Sequence, residues 1–474
     1  MFFIHSKEFE VKIYYVSEGN DLTFLNDEIK NYAKQVGFEG KANTSFTHLG
    51  PNSANVIVIG LGEEDKITTQ SIRNAAFEAG KILDANRIKE ATLVVKAQGE
   101  ISEKSVGQCS VEAFLHSAYS FDNYKTKAQE KYVETIGILS NDCNQDAIDE
   151  AVDITKGNHI ARDLVNIPSI DLYPETLANA AKETLEDLGV KVTIYDKKQI
   201  QDLGMKAFLA VAEGSDKDPR FIVMEYLPEG KDKKAITLVG KGLTYDSGGY
   251  AIKPAKAMDT MKSDMAGAAS VIGALYSIAK QGLNKNVVGI VATCENMISG
   301  RAYKNGDIVG SMKGTTIEVG NTDAEGRLTL ADAIYYAATK VNSESIIDIA
   351  TLTGACLVAL GTKIIGATTS DQELLEKLQD VAKLTGEKIW QLPIDDDFRE
   401  IIKGEFGDIK NAVMGGGGAS TAAAFLEHFT EGKSWVHLDI AGPAWADKPY
   451  GYIAEGGTGV PVKTLYNYVK RNQN

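Results

Sequence analysis

The stretch Asn321-Thr322-Asp323-Ala324-Glu325-Gly326-Arg327-Leu328 lies between a β-like run at 315–319, closed by Gly320, and a helical pattern at 328–340. It puts two acids on a strand-to-helix turn. In extended backbone, side chains two residues apart point the same way, so Asp323 and Glu325 are expected to converge on one point. Gly326 and Arg327 then open the helix, where free N–H groups and a guanidinium favour an anion. Taken alone, Asp-x-Glu reads as an acidic loop capping a helix.

A second cluster upstream changes that reading. Val239-Gly240-Lys241-Gly242-Leu243-Thr244-Tyr245-Asp246-Ser247-Gly248-Gly249 leaves a strand expected at 235–239. Ile252-Lys253-Pro254 and Met261-Lys262-Ser263-Asp264 follow it. The two clusters together offer four carboxylates, Asp246, Asp264, Asp323 and Glu325. Crowded in one cleft, they repel and raise one another's pKa values. Two divalent cations would neutralise them. Lys241, Lys253 and Arg327 remain as cationic groups suited to facing anions.

These motifs, with Ala350-Thr-Leu-Thr-Gly-Ala355 and Trp435-Val-His-Leu-Asp-Ile-Ala-Gly442, closely resemble the leucyl aminopeptidases, the di-metal cytosol aminopeptidase family. The resemblance covers about residues 150–474, and Tyr245 stands where the family usually has Phe. It implies a metal-dependent aminopeptidase that releases N-terminal, leucine-like residues from peptides. It implies one ion held by Asp246, Asp323 and Glu325, and another by Lys241, Asp246, Asp264 and Glu325. Zinc or manganese is expected, with magnesium or cobalt possible, since carboxylate-rich sites accept several metals. Lys241 ligates only as a neutral amine, a state that burial beside dications favours. By the same resemblance Lys253 stabilises the negative charge of the tetrahedral intermediate. Arg327 holds a bicarbonate-like anion as general base, in a pocket completed by backbone near Leu352. Asp264 receives the substrate's α-amine, and Met261 contributes to the pocket for the released side chain. The family forms hexamers with active sites facing an interior cavity, so a homohexamer is expected.

With 474 residues the chain exceeds what one core usually holds, so two domains are expected. Strand and helix signals alternate throughout, which argues for α/β layers. In the first part, strands are expected at 9–15, 55–59, 91–95 and 132–139, and helices at 26–36, 68–85 and 106–118. A long helix at 145–165 ends before Pro168. The expected division is a smaller N-terminal α/β domain, 1–150, and a larger catalytic α/β domain, 151–474, with a central mixed sheet. Strands of the second part are expected at 191–194, 221–225, 235–239, 287–292, 346–349, 363–367 and 435–439. The run Gly415-Gly-Gly-Gly418 reads as a loop leading into a helix.

Rival chemistries fit poorly. Gly240-x-Gly242 has Tyr245 where a dinucleotide fingerprint needs glycine, and Gly432-Lys-Ser434 has Glu427 where a phosphate loop needs it. The six histidines do not cluster in sequence, and His437, in an apolar strand, reads as a satisfied core histidine. The net charge of −15 argues against sequence-independent nucleic-acid binding. Four scattered cysteines, Cys109, Cys143, Cys294 and Cys356, suit a reducing cytosol. No signal-peptide core or membrane-spanning run is found, so a cytoplasmic protein without membrane contact is expected. The alternatives kept open are another di-metal amide or ester hydrolase, and a DNA-binding regulator or structural oligomer with a vestigial site.

Overall fold

The computed structural model describes residues 1–50 and 54–473. Two compact units emerge, one of residues 1–155 and 449–454, the other of residues 156–448 and 455–474. Helix α4, after the shorter α1 (Asp27–Gln35), α2 (Thr69–Ala85) and α3 (Glu103–Ala118), spans Gln145–Asn166 and carries the chain from the first into the second.

The first unit is built on strands β1 (Phe2–His5), β2 (Val11–Ser17), β3 (Ser45–His48), β4 (Asn55–Gly62), β5 (Glu90–Val94) and β6 (Thr135–Leu139). Their order is β1-β6-β5-β2-β4-β3, parallel except for β3, which runs antiparallel to β4. Ile13, Ile57, Ile72, Leu93, Phe114 and Ile136 form its core. Asn26, Thr68 and Ser102 cap α1, α2 and α3 by accepting from backbone N–H groups. The strands β1 and β3 were not expected. Each is only four residues long, too short to show alternation against its neighbours.

The second unit holds an eight-stranded mixed sheet. Its strands are β7 (Lys191–Tyr195), β8 (Arg220–Tyr226), β9 (Ala235–Asp246) and β10 (Val287–Asn296), then β13 (Ser343–Ala350), β14 (Ile365–Thr369), β15 (Ile389–Gln391) and β17 (Ser434–Asp439). Between them in sequence, β11 (Ile308–Val309), β12 (Ile317–Glu318) and β16 (Ile409–Lys410) form a small separate ribbon. The large sheet has the order β15-β14-β17-β13-β9-β10-β8-β7. Its centre, β17-β13-β9-β10, is wholly parallel. Helix Gly326–Lys340 buries Leu328, Leu330 and Ile334 in the same core as Val239, Leu243 and Ile290.

Strand β9 runs on to Asp246 rather than stopping at 239. Its glycines are packing positions, not breakers. A Cβ on Gly240 would lie 2.7 Å from Ala268 Cα, so the absence of a side chain lets helix Ala266–Lys280 press against the strand. The extension carries Lys241 and Asp246 within regular structure.

Candidate metal centre

Four parallel strands end on one side of the sheet, and ligand sites of α/β sheets form beyond such carboxyl ends. Asp246 closes β9, Asn296 closes β10, Thr351 follows β13 and Asp439 closes β17. The 3₁₀ turn Met261–Met265 adds Asp264, and the turn before helix Gly326–Lys340 adds Asp323 and Glu325.

Lys241 Nζ lies 2.9 Å from Asp264 Oδ2 and 3.0 Å from Glu325 Oε1, and donates to the Thr351 carbonyl at 2.9 Å. The Thr351 hydroxyl donates to Asp264 Oδ1 at 2.7 Å. Lys253 Nζ lies 2.8 Å from Asp246 Oδ2 and 2.5 Å from Asp323 Oδ1. Carboxylate oxygens of Asp246, Asp323 and Glu325 all fall within 4.8 Å of one another. All seven residues singled out by sequence thus lie in one neighbourhood except in one respect: Arg327 turns to donate from Nη1 to the Asn411 carbonyl at 2.6 Å. Burial lowers its pKa, opposed by Glu325 and Asp439.

Asp323 and Glu325 converge, but not by strand alternation. Asp323 sits in a turn, and Glu325 already has helical backbone, φ −75° and ψ −37°. The turn, not a pleat, brings the carboxylates together. The Leu352 N–H, expected to complete an anion pocket, instead donates to Asp439 Oδ1 at 3.2 Å, and the Thr353 hydroxyl donates to Asp439 Oδ2 at 2.7 Å.

Burial pushes the Asp264 and Glu325 carboxyls above the usual carboxylate range, with Asp246 adding to the effect and Lys241 opposing it. Glu325 Oε2 is buried with no hydrogen-bond partner among the described residues. A buried carboxylate oxygen left unpaired is costly. Divalent cations satisfy both the unpaired oxygen and the carboxylate repulsion, so the donor set fits them.

Three supporting asparagines had no sequence signal. Asn296 Nδ2 donates to Asp246 Oδ1 at 2.8 Å and to the Thr322 carbonyl at 3.0 Å. Asn305 Oδ1 accepts from Thr322 N–H at 3.0 Å. Asn411 grips the acidic turn from the other side. Residues that hold backbone look like any loop asparagine until the loop is folded. His437 is buried and satisfied, its Nδ1 2.6 Å from Asp348 Oδ1.

The profile of the cytosol aminopeptidase family's catalytic domain matches residues 159–466, and that of its N-terminal domain matches residues 19–128. A "Probable cytosol aminopeptidase" of Clostridium tetani is 45% identical, covering 99% of this chain and 98% of that protein. One of Aquifex aeolicus is 40% identical, covering 96% and 94%. Among solved structures, a mutant of tomato leucine aminopeptidase superposes with a TM-score of 0.89 at 30% identity, covering 100% of this chain and 97% of its own. The bottromycin maturation enzyme BotP in complex with Mn gives 0.89 at 29% identity, covering 98% and 99%.

Proposed function

The chain belongs to the cytosol aminopeptidase family and is a metal-dependent aminopeptidase, and from that premise we propose how its residues divide the work. One divalent ion would be held by Asp246, Asp323 and Glu325. A second would be held by Lys241, Asp246, Asp264 and Glu325, with Asp246 and Glu325 serving both. The mutual approach of the Asp246, Asp323 and Glu325 oxygens within 4.8 Å carries this reading. Zinc or manganese suits the site, with magnesium or cobalt as substitutes. Bound there, the ions supply Lewis acidity that polarises the scissile carbonyl and activates water.

The chain's own groups do the rest. Among protein charges alone, burial would lower the Lys241 pKa, but Asp264, Glu325 and Asp246 outweigh it and raise it. Dications in the same cluster oppose that field and favour the neutral amine that ligation requires. Asp264 receives the substrate's free α-amine, which restricts cleavage to the N-terminal residue. Lys253 reaches the cluster through Asp246 and Asp323, and stabilises the negative charge that develops on the former carbonyl oxygen. Arg327 holds a bicarbonate-like anion that serves as general base. Its Nε, buried without a hydrogen-bond partner among the described residues, supports an anion there.

Leucine-like residues are the preferred substrates, with Met261 adapting to the released side chain. Catalysis is assigned to a domain within 151–474 and the N-terminal α/β domain to 1–150, although residues 151–155 and 449–454 cluster with the first unit. The protein works in the cytoplasm, in keeping with four buried free cysteines. Among the described residues no helix is long and apolar enough to cross a membrane. It assembles as a homohexamer, and Val358, Trp390, Phe406 and Met414, large apolar residues exposed on the second unit, supply surface for that. Hydrolysis of leucine p-nitroanilide, compared with glutamate and lysine p-nitroanilides, tests the reading. The leucine substrate should turn over fastest, be lost on chelation and return with Mn²⁺ or Zn²⁺. Equal turnover of all three, or full activity in verified metal-free protein, would contradict it.

A further inference from the structure

The acidic turn is held from two sides. On one side Thr322 is fixed by Asn296, Tyr303 and Asn305, whose polar atoms take its carbonyl and its N–H. On the other side stands Asn411, fully buried at the end of the ribbon strand β16.

The side-chain amide of Asn411 can make four hydrogen bonds, and the turn takes all of them. Its Oδ1 accepts from Gly320 N–H at 2.8 Å and Asn321 N–H at 3.3 Å. Its Nδ2 donates to the Asn321 carbonyl at 2.8 Å and the Ala324 carbonyl at 3.2 Å. The Asn411 backbone adds two more: its N–H donates to the Glu318 carbonyl at 3.0 Å, and its carbonyl accepts from Arg327 Nη1 at 2.6 Å. The Ala324 carbonyl belongs to the peptide joining Ala324 to Glu325. Holding it sets the plane from which the Glu325 side chain departs. The fit is close: a Cβ on Gly320 would lie 2.7 Å from the Ala412 carbonyl.

We propose that Asn411 is a positioning residue of the metal centre, holding the 320–324 turn in the conformation that brings Asp323 and Glu325 together and anchoring Arg327 through its carbonyl. The inference rests on Asp323 and Glu325 being metal ligands. It follows from how ligands are oriented in general: groups that hydrogen-bond the segment carrying a ligand set its geometry, and losing them typically lowers metal affinity or activity about 10- to 100-fold. A residue serving only the stability of the ribbon would leave affinity alone.

The test is Mn²⁺ binding to the metal-stripped full chain, followed by electron paramagnetic resonance, with Asn411→Ala, Asn411→Asp, Asp408→Ala and Glu325→Gln beside the wild type. Asp408 braces the same ribbon by accepting from Thr316 N–H and its hydroxyl at 2.7 and 2.8 Å, but touches neither ligand. Asn411→Ala is expected to weaken Mn²⁺ binding about 10- to 100-fold. Asn411→Asp, which keeps the acceptors but sets a carboxylate oxygen against the Asn321 and Ala324 carbonyls, should weaken it at least as much. Asp408→Ala should bind as the wild type does. Should Asn411→Ala fail to fold, Asn411→Asp decides by the same comparison. Wild-type affinity in folded Asn411 variants, or an equal loss in Asp408→Ala, would overturn the inference while leaving the ligand reading intact. Wild-type affinity in Glu325→Gln would overturn the ligand reading and the inference with it.

Discussion

Asp264 and Lys253 both border the carboxylate cluster, yet they should fail differently. Asp264→Asn removes a charge and, on the proposed assignment, a ligand, so one metal per chain and the activity should be lost together. Elemental analysis finding two metals in an inactive variant would assign Asp264 another role. Lys253→Ala removes the proposed donor to the developing oxyanion and none of the proposed ligands. It should keep both metals and lower kcat roughly 10²–10³-fold; full kcat with metals bound would show that Lys253 has no such role. A third residue gives a pH signature. Burial lowers the His437 pKa, but Asp348, hydrogen-bonded to it, and Asp439 outweigh burial and the opposing Arg327, so it ends above the ordinary value. A folded pKa above the unfolded one means stabilisation present below about pH 6.5 and lost as pH rises through the folded pKa. The melting temperature of the wild type should therefore fall more steeply than that of His437→Gln as pH rises above about 6.5; parallel curves would refute the linkage. At this scale the charged residues that the structure gathers around the Asp246–Asp323–Glu325 cluster were legible as candidates, because they lie in motifs that resemble one family's. Their geometry was not: two acids spaced i, i+2 converge on a strand or in a turn, and only the helical backbone of Glu325 shows which.

At the scale of elements, close packing decided what pattern could not. Gly240 reads as the end of a strand, yet it lies inside β9 because a helix backbone occupies the space of its side chain. The short strands β1, β3 and β15 escape pattern reading for lack of length. Gly326 shows the same logic at the site. It starts helix Gly326–Lys340, where alanine would ordinarily favour the helix by about 0.5–1 kcal/mol. Here a Cβ would lie 2.5 Å from Lys241 Cε and 2.6 Å from its Nζ. Gly326→Ala is expected to displace Lys241 from Asp264 and Glu325. Peptidase activity should fall at least about tenfold, the cost of a disturbed ligand shell, while circular dichroism stays that of the wild type. Unchanged activity would mean that Lys241 adapts without functional loss.

For the whole molecule, alternating strands and helices were enough to expect α/β architecture, and near-continuous apolar runs marked strands buried on both faces. That residues 449–454 cluster with the first unit has no counterpart in the pattern, since six residues of a long loop carry no period. Assembly lies at this scale too: light scattering should give six chains per particle, and a stable, active monomer would contradict the proposed hexamer. The account as a whole stands on the two ions proposed to bind between β9 and the acidic turn. Its most direct test is the metal content of Glu325→Gln, because Glu325 is assigned to both ions. Wild-type protein loaded with Mn²⁺ should hold two ions per chain by elemental analysis, and Glu325→Gln fewer than two, with hydrolysis of leucine p-nitroanilide abolished. Two ions per chain in Glu325→Gln, bound as tightly as in the wild type, would contradict it.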